Sequence, residues 1–295
     1  MHPRLTFAHI PIPQRMALFI ASLNSGSNGN CYYVGNDKEA VFIDAGLSCR
    51  ETERRMQLIG LKMSHVKAIF ITHEHADHIT GMSGLSKKWG LPVYITAQTH
   101  LRSKMPLLPE LTVSFRPHEA VQVGGLSIMP FPKYHDGCDP HSFTVSGNGV
   151  QIGVFTDIGK ACKNLIHHFR GCHAAFLEAN YDEVMLDQGR YPQHLKARIR
   201  NGNGHLSNRQ ALDVFTANKP AYMSHLLLAH LSKENNHPEL VETLFRQHAG
   251  STEVVVASRY AASAVYAIST TAHPVEAFPQ RPPSLPVQEA QLSLF

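Results

Sequence analysis

One short segment, THEHADH at residues 72–78, constrains this chain more than any other stretch. It supplies four side chains of the kinds that bind metal ions, namely His73, His75, Asp77 and His78. The segment directly follows HVKAIFI, a nearly unbroken apolar run that is typical of a buried strand. Because side chains two positions apart in an extended segment point the same way, His73 and His75 can hold one ion together. Asp77 and His78 can face a second ion once the chain turns.

Imidazole and carboxylate groups are the ligands expected for zinc, with manganese or iron as alternatives. A polar loop with exposed histidines is the ordinary explanation, but four ligand-type residues after a strand end make it a poor one. A single structural ion would have no need of the Asp77–His78 pair. Histidine is also abundant, with 20 in 295 residues, so some histidines are expected to be ligands. The segment therefore predicts a centre for two divalent metal ions.

Composition sets further limits. The chain is 43% hydrophobic, which suffices for a proper core, and it has no apolar run long enough to span a membrane. The net charge of +4 is compatible with a polyanionic substrate without proving one. Five cysteines without a C-x-x-C pair predict reduced thiols. The start, MHPRLTFAHIPIPQR, lacks the features of an export signal, so we expect a cytoplasmic protein with a loosely ordered extension over residues 1–15.

The order of secondary-structure signals predicts an α/β protein. Strands come first as hairpins and then alternate with helices, which favours two β-sheets with helices outside them, over residues 16–269. The pairs Ser48–Glu51 and Ser207–Gln210 have capping-box spacing and predict two helix starts. After Ser269 the chain contains five prolines in TTAHPVEAFPQRPPSLPVQEA and no apolar periodicity. Residues 270–295 are therefore expected to form a disordered, proline-rich tail.

THEHADH resembles the H-x-H-x-D-H signature of the metallo-β-lactamase superfamily. Further motifs of that family are present in the expected order, each beside a predicted strand end. They place Asp44 in VFIDAG, His135 in PKYHDG, Asp157 in GVFTDIG and His230 in LLLAHLS. Each is weak evidence alone, since a lone histidine is more often an ordinary hydrogen-bonded one. As a set they imply an αββα sandwich of two mixed sheets. The resemblance makes His135 the third histidine of the first ion, Asp157 a bridge, His230 a ligand of the second ion and Asp44 an orienting residue.

Four other stretches, SLNSGSNGNCYYV, LEANYD, GHLSN and AHLSKENN, resemble the YycJ/WalJ-type branch, exonucleases related to ribonuclease Z. This resemblance implies a metal-dependent phosphodiesterase, a DNA 5′-exonuclease of replication or repair that takes DNA ahead of RNA. It implies that Asp77 orients the nucleophile and that His205 assists the leaving group. Glu178 either supports a ligand histidine from behind or forms a salt bridge across the sandwich. Tyr181 stands where the branch more commonly has histidine, which puts a ligand role there in doubt.

Two other classes of function stay open, a lactone or thioester hydrolase and a non-enzymatic adaptor. The 48 residues from Asp157 to His205 leave no room for the large inserted domain of the ribonuclease J type. Several basic residues either line a phosphate path or belong to an ordinary solvated face, and the solvated face is favoured. These residues are Lys133, Arg190, Lys196, Arg198 and Arg200.

The last five residues, QLSLF, resemble the short peptide by which bacterial replication and repair proteins dock on the sliding clamp. Every position fits that pattern, from Gln291 through Leu292, Ser293 and Leu294 to Phe295. Leu294 and Phe295 suit an apolar cleft and Gln291 suits its rim, because a few buried anchors carry most of an interface's energy. The proline-rich stretch would act as a tether. The alternatives are a tail that folds back on its own domain and a chance match.

Overall fold

The computed structural model describes residues 17–270, which contain two seven-stranded β-sheets packed face to face. The first sheet has the order β14-β1-β2-β3-β4-β5-β6. Its strands are β1 (Ala17–Asn24), β2 (Cys31–Gly35), β3 (Ala40–Ile43), β4 (Val66–Phe70), β5 (Val93–Tyr94), β6 (Thr112–Val113) and β14 (Tyr266–Ser269). Strands β3 to β6 run parallel and the remaining pairs are antiparallel.

The second sheet has the order β13-β12-β11-β10-β9-β8-β7. Its strands are β7 (Val121–Val123), β8 (Leu126–Pro132), β9 (His141–Gly147), β10 (Val150–Phe155), β11 (Ala174–Glu178), β12 (His225–Ala229) and β13 (Glu253–Val256). Strands β10 to β13 run parallel, and the others form antiparallel hairpins. The prediction of two mixed sheets is confirmed. Strand β14 was not predicted, because YAIS is short and has no apolar run to reveal it.

Helices cover the outer faces of both sheets. Within residues 17–270 they are α1 (Cys49–Leu58), α2 (Ala76–Ile79), α3 (Met82–Trp89), α4 (Ala97–Ser103), α5 (Lys163–Phe169), α6 (Glu183–Gln188), α7 (Gln193–Arg200), α8 (Asn208–Asn218) and α9 (Pro238–Arg246). The predicted capping box at Ser207 is complete. At Ser48 only the first half forms, because the Glu51 carboxylate binds Arg54 and Arg55 instead. None of these helices is long and apolar enough to cross a membrane.

Three apolar layers hold the sandwich together. The middle layer lies between the sheets and includes Phe70 and Phe143, whose rings meet edge to face. The outer layers lie under the helices, with Leu85 on one side and Phe169 and Phe215 on the other. Each fully buried side chain of this size contributes about 1.5–3 kcal/mol relative to exposure. Strands buried on both faces read as continuous apolar runs, which is why the sequence revealed them.

The parallel strands of both sheets end at one edge of the sandwich, where polar residues emerge. Asp44 follows β3, Asp157 lies two positions after β10 and His230 follows β12. All three have left-handed backbone conformations, with φ of 63°, 54° and 55° respectively. Non-glycine residues rarely adopt this region, and where they do the position is often functional. Candidate functional residues therefore gather at this edge of the sandwich.

Candidate metal centre

Asp44 joins the first sheet to the THEHADH segment. Its Oδ1 accepts a hydrogen bond from the Thr72 backbone N–H at 2.8 Å, and its Oδ2 accepts one from the Thr72 hydroxyl at 2.9 Å. The same Oδ2 lies 2.7 Å from Nδ1 of His78. Because Nδ1 is engaged there, Nε2 of His78 faces the site. The fully buried carboxylate thus fixes the orientation of the His78 ring, and the role predicted for Asp44 behind a metal ligand stays a prediction.

The first group of converging side chains, here the first trio, consists of His73, His75 and His135. Nδ1 of His75 lies 3.0 Å from Nε2 of His73 and 3.4 Å from Nε2 of His135. The opposite nitrogens are occupied elsewhere, since Nδ1 of His73 lies 2.8 Å from the Thr72 hydroxyl and Nδ1 of His135 lies 3.0 Å from the Gly204 carbonyl oxygen. Three ring nitrogens are therefore free to bind one ion.

The second trio consists of Asp77, His78 and His230, whose ligand atoms also lie within 4.8 Å of one another. Nε2 of His78 is 3.4 Å from Oδ2 of Asp77. Nδ1 of His230 lies 3.1 Å from Oδ1 of Asn30, which leaves Nε2 of His230 for an ion. Both histidines are buried. This trio differs from the first in containing a carboxylate.

Asp157 lies between the two trios. Its Oδ1 is 3.3 Å from Nε2 of His230 and 3.8 Å from Nε2 of His135. Its Oδ2 is 3.2 Å from Nε2 of His78, but no hydrogen bond of acceptable geometry reaches this buried oxygen from the described residues. A buried carboxylate oxygen without a partner is costly, and cations on either side would compensate it. Asp157 is therefore placed where it would contact cations held by either trio.

The electrostatics of the site suit ligand binding. Burial lowers the pKa of His73 and His230, and it lowers the pKa of His135 to about 3. These rings are therefore neutral near pH 7, the form in which imidazole binds metals. Burial would also lower the pKa of His78, but the carboxylates around it, Asp157 first, raise that pKa well above its usual value. The raised pKa means that Nε2 of His78 carries a proton near pH 7. An ion bound at Nε2 would replace that proton.

The residues present therefore fit two divalent cations. Imidazole nitrogens and carboxylate oxygens are the donors that zinc prefers in hydrolytic sites. The same set also accommodates manganese or iron. The observation that supports the fit is the buried Oδ2 of Asp157, which no well-formed hydrogen bond reaches from the described residues and which lies 3.2 Å from Nε2 of His78.

Glu178 and His205 form a pair beside both trios. Glu178 ends β11 and is fully buried, and its Oε2 accepts hydrogen bonds from the N–H groups of Ile158 at 2.7 Å and Leu206 at 3.2 Å. Its Oε1 lies 2.7 Å from Nδ1 of His205. Burial acts to lower the pKa of His205, but the Glu178 carboxylate outweighs burial and raises it to about 8. Glu178 therefore forms an ion pair with His205, which belongs to neither trio, and both alternatives for the role of Glu178 stay predictions.

Comparison with known proteins identifies the family to which the chain belongs. A family model described as a β-lactamase superfamily domain matches residues 39–230. The exodeoxyribonuclease YycJ of Bacillus anthracis is 35% identical over 234 residues, which cover 76% of this chain and 86% of that protein. The chain belongs to the metallo-β-lactamase superfamily. The exodeoxyribonuclease WalJ of Streptococcus pneumoniae is 31% identical over 223 residues, 74% of this chain and 83% of that protein. The predicted YycJ/WalJ-type branch is confirmed.

Solved structures of the superfamily share the fold. The metallo-β-lactamase fold protein YhfI from Bacillus subtilis has a TM-score of 0.65 at 15% identity, over 85% of this chain and 99% of that chain. The short form of human tRNase Z has a TM-score of 0.57 at 16% identity, over 83% of this chain and 98% of that chain. The predicted αββα sandwich is confirmed.

Asn30 is a site residue that the sequence did not reveal. Its Nδ2 lies 3.0 Å from Oδ2 of Asp77, and its Oδ1 accepts a hydrogen bond from the Tyr32 hydroxyl at 3.1 Å and lies near Nδ1 of His230. The neighbouring Ser25 accepts a hydrogen bond from the His230 backbone N–H at 2.7 Å. The stretch NSGSNGN predicted a loop and contributed to the YycJ/WalJ resemblance, but it gave no role to Asn30, since serine, glycine and asparagine are the ordinary residues of turns.

The basic residues do not form one solvated face, so that prediction is wrong for two of them. Lys133 is buried and donates to the Thr156 carbonyl oxygen at 2.8 Å, and Lys196 is buried and donates to the Asp187 carbonyl oxygen at 2.7 Å. Arg198 forms an ion pair with Asp136, which lies 3.6 Å from Nε2 of His75. Asp136 therefore links Arg198 to the first trio.

Tyr181 lies away from both trios. Its ring is buried with Leu186 and Ile199 in a small cluster between α6 and α7. The doubt about a ligand role at this position is consistent with that placement. The predicted extension over residues 1–15 and the predicted clamp-binding residues Gln291–Phe295 lie outside the described residues, so both stay predictions.

Proposed function

We propose that this chain is a dinuclear metal-dependent exodeoxyribonuclease that shortens DNA from the 5′ end during replication or repair. The observation that carries the proposal is the position of His205 and Glu178 beside two trios that share Asp157. Two relatives of the chain are named exodeoxyribonucleases, and the matched regions cover most of each of them. We further propose that DNA is preferred to RNA and that the protein works in the cytoplasm, where its substrate lies.

The candidate ligands divide between two ions. His73, His75 and His135 would hold the first, Asp77, His78 and His230 would hold the second, and Asp157 would contact both. When bound, two divalent cations supply Lewis acidity towards the phosphate oxygens and lower the pKa of water. We propose zinc as the working metal, ahead of manganese or iron.

The chain's own residues supply the rest of the chemistry. Asp77 is held through its Oδ2 by the Asn30 amide and orients the attacking water. His205 is held at Nδ1 by Glu178, which leaves Nε2 free to donate a proton to the departing 3′ oxygen. Because Glu178 also accepts two backbone N–H groups, it cannot rotate away, and the imidazole stays aimed at the two trios.

The decisive experiment compares substrates on one metal-loaded preparation of the full chain. End-labelled DNA duplex, single-stranded DNA, RNA, a chromogenic lactam and a thioester are incubated in parallel. We expect DNA to be shortened from the 5′ end, chelation to stop the reaction and zinc to restore it. Hydrolysis of the thioester or lactam alone would replace the nuclease assignment. A chain that holds two ions and hydrolyses none of these substrates would support the adaptor instead.

We also propose that the bacterial sliding clamp is a partner, bound through residues 291–295. Support comes from the sequence match and from the proline-rich stretch before it, which suits a tether. Short peptides that order on binding are modest binders, so we expect a Kd of roughly micromolar size. A peptide of residues 284–295 is titrated with clamp, beside the same peptide carrying Leu294→Ala and Phe295→Ala. Equal binding by both peptides would end this proposal.

A further inference from the structure

Two adjoining grooves cross the surface around α5. One has a volume of about 650 Å³ and the other about 290 Å³. Both are lined by Ala161 and Ile166, so they form one continuous depression over α5. The smaller groove also reaches Leu206, the residue after His205. One end of the depression is thus lined by Leu206, which follows His205, and by Lys160, which comes three positions after Asp157.

Basic side chains line this depression. Lys163, His167 and Arg170 recur at spacings of four and three residues along α5, so they lie on one face of the helix. All three are exposed and line the larger groove, which has no acidic side chain among its described lining residues. Lys160 lines the smaller groove, where Asp213 is the acidic residue among those described. The balance of charge suits a polyanion.

An aromatic side chain joins this basic surface to the first trio. Tyr134 immediately precedes His135 and is 46% exposed. The Lys160 ammonium lies 3.9 Å from the centre of the Tyr134 ring, and Gly159 N–H donates to the Tyr134 carbonyl oxygen at 2.6 Å. Exposed aromatic rings beside cations are the usual elements of single-strand binding surfaces, because bases stack on the ring while cations follow the phosphates.

We propose that Tyr134, Lys160 and the basic face of α5 form a track for a single DNA strand. This inference rests on the proposed nuclease function and names the path of its substrate. The track reaches the site through Tyr134, which precedes His135, and through Lys160, which lies against the Tyr134 ring. Residues 163–170 span about 10 Å of helix, enough for two or three phosphates.

The test removes two charges from the track. Lys163→Gln with Arg170→Gln is compared with Lys62→Gln and Lys67→Gln, which remove the same charge near the start of β4, the end of that strand opposite the metal centre. Binding of a short oligothymidylate with non-cleavable linkages is measured against salt concentration, using metal-loaded full chains. Each phosphate contact to a single strand contributes about 0.7 to the slope of log K against log salt. We expect the track variant to lose about 1.4 from this slope, and the control to lose nothing.

A second readout separates the track from the metal centre. Hydrolysis of a small phosphodiester, bis(p-nitrophenyl) phosphate, needs the ions but not the track, so we expect the track variant to keep the wild-type rate. Its KM for oligonucleotides should rise, and Lys160→Gln alone should raise it by a smaller factor. Equal slopes for the track and control variants, or equal losses on both substrates, would overturn the track. If wild-type protein binds the oligonucleotide but cleaves no DNA, the nuclease proposal fails separately.

Discussion

The two trios are built from similar groups but differ in charge and enclosure. The first contains three imidazoles, which are supported by a hydroxyl and a backbone carbonyl, and the His75 side chain is 31% exposed. The second contains a carboxylate and two buried histidines, and one of these is supported by the buried Asp44. Buried negative charge lies on one side of Asp157, whereas the carboxylate beside the first trio, Asp136, is partly exposed and paired with Arg198.

This difference assigns unlike roles to the two halves. A cation in the second trio is attracted by more negative charge and is screened less by water, so we expect it to be held more tightly. We expect substrate to enter at the first trio, where His75 is partly exposed and Arg198 is nearby. Each of the following experiments tests that division, beginning with the largest expected effect.

Replacing Asp77 removes the carboxylate that distinguishes the second trio. We expect Asp77→Ala to reduce DNA hydrolysis to background and to lower metal content from about two ions to about one per chain. Elemental analysis and a nuclease assay measure the two effects. Asp139→Ala is the matched control, since Asp139 is a partly exposed carboxylate in the loop after His135. A folded Asp77→Ala protein with two ions and wild-type activity would refute the assignment.

Replacing His205 tests the proton donor without touching either trio. We expect His205→Ala to lower kcat on DNA by about 10²–10⁴-fold while both ions remain bound. A p-nitrophenyl ester of thymidine phosphate has a leaving group that needs no proton, so its hydrolysis should fall far less. Glu178→Gln, which keeps the shape but weakens the hold on His205, should have an intermediate effect. Equal losses on both substrates would contradict the role of His205.

Replacing Asp44 tests whether the buried carboxylate makes the two trios unequal. Asp44→Asn removes the charge behind His78, and outer partners of this kind are worth about 10–100-fold in metal affinity. We expect that loss for the second ion alone. We expect competition with a chromophoric chelator to show two phases of metal release in the wild type and a faster second phase in the variant. A variant in which both phases shift equally would show that the trios are not independent.

The smallest effect concerns acid stability away from the trios. Burial lowers the pKa of His168, which stacks on Phe131, to about 4 from an unfolded value of about 6.5. Between these values the unfolded chain binds more protons, so the free energy of unfolding falls as pH drops from about 6.5 to about 4. His168→Phe should flatten this part of the profile, as measured by denaturant unfolding in chelator. If the variant loses as much free energy of unfolding between these pH values as the wild type does, the loss of stability in acid comes from the trios instead.

The sequence predicted one half of the site better than the other. His73, His75, Asp77 and His78 lie within one segment, so their spacing alone indicates a metal centre. Asp157, Glu178 and His230 come together only because β10, β11 and β12 are parallel and end at one edge. Their roles were predicted from the family resemblance, since periodicity identifies a strand but not its neighbours.

Other features could not be predicted because they depend on distant pairings. Asn30 contacts His230 across 200 positions of sequence, and the sequence of a turn-forming loop does not indicate such a distant partner. Lys133 and Lys196 are buried because backbone carbonyl groups receive their ammonium groups, whereas lysine in a sequence ordinarily indicates exposure. Strand β14 exists because its edge pairs with β1, far away in the chain.

The left-handed conformations of Asp44, Asp157 and His230 have a consequence for how the protein matures. Each costs on the order of 1–3 kcal/mol and persists only where the surroundings enforce it. The backbone amides of Asp44 and His230 are fixed by bonds to Phe70 and Ser25, which require no ion. We therefore expect the polypeptide to reach its final shape first and to take up metal afterwards. A cell short of the required metal would then accumulate finished but idle enzyme, ready to work on resupply without new synthesis.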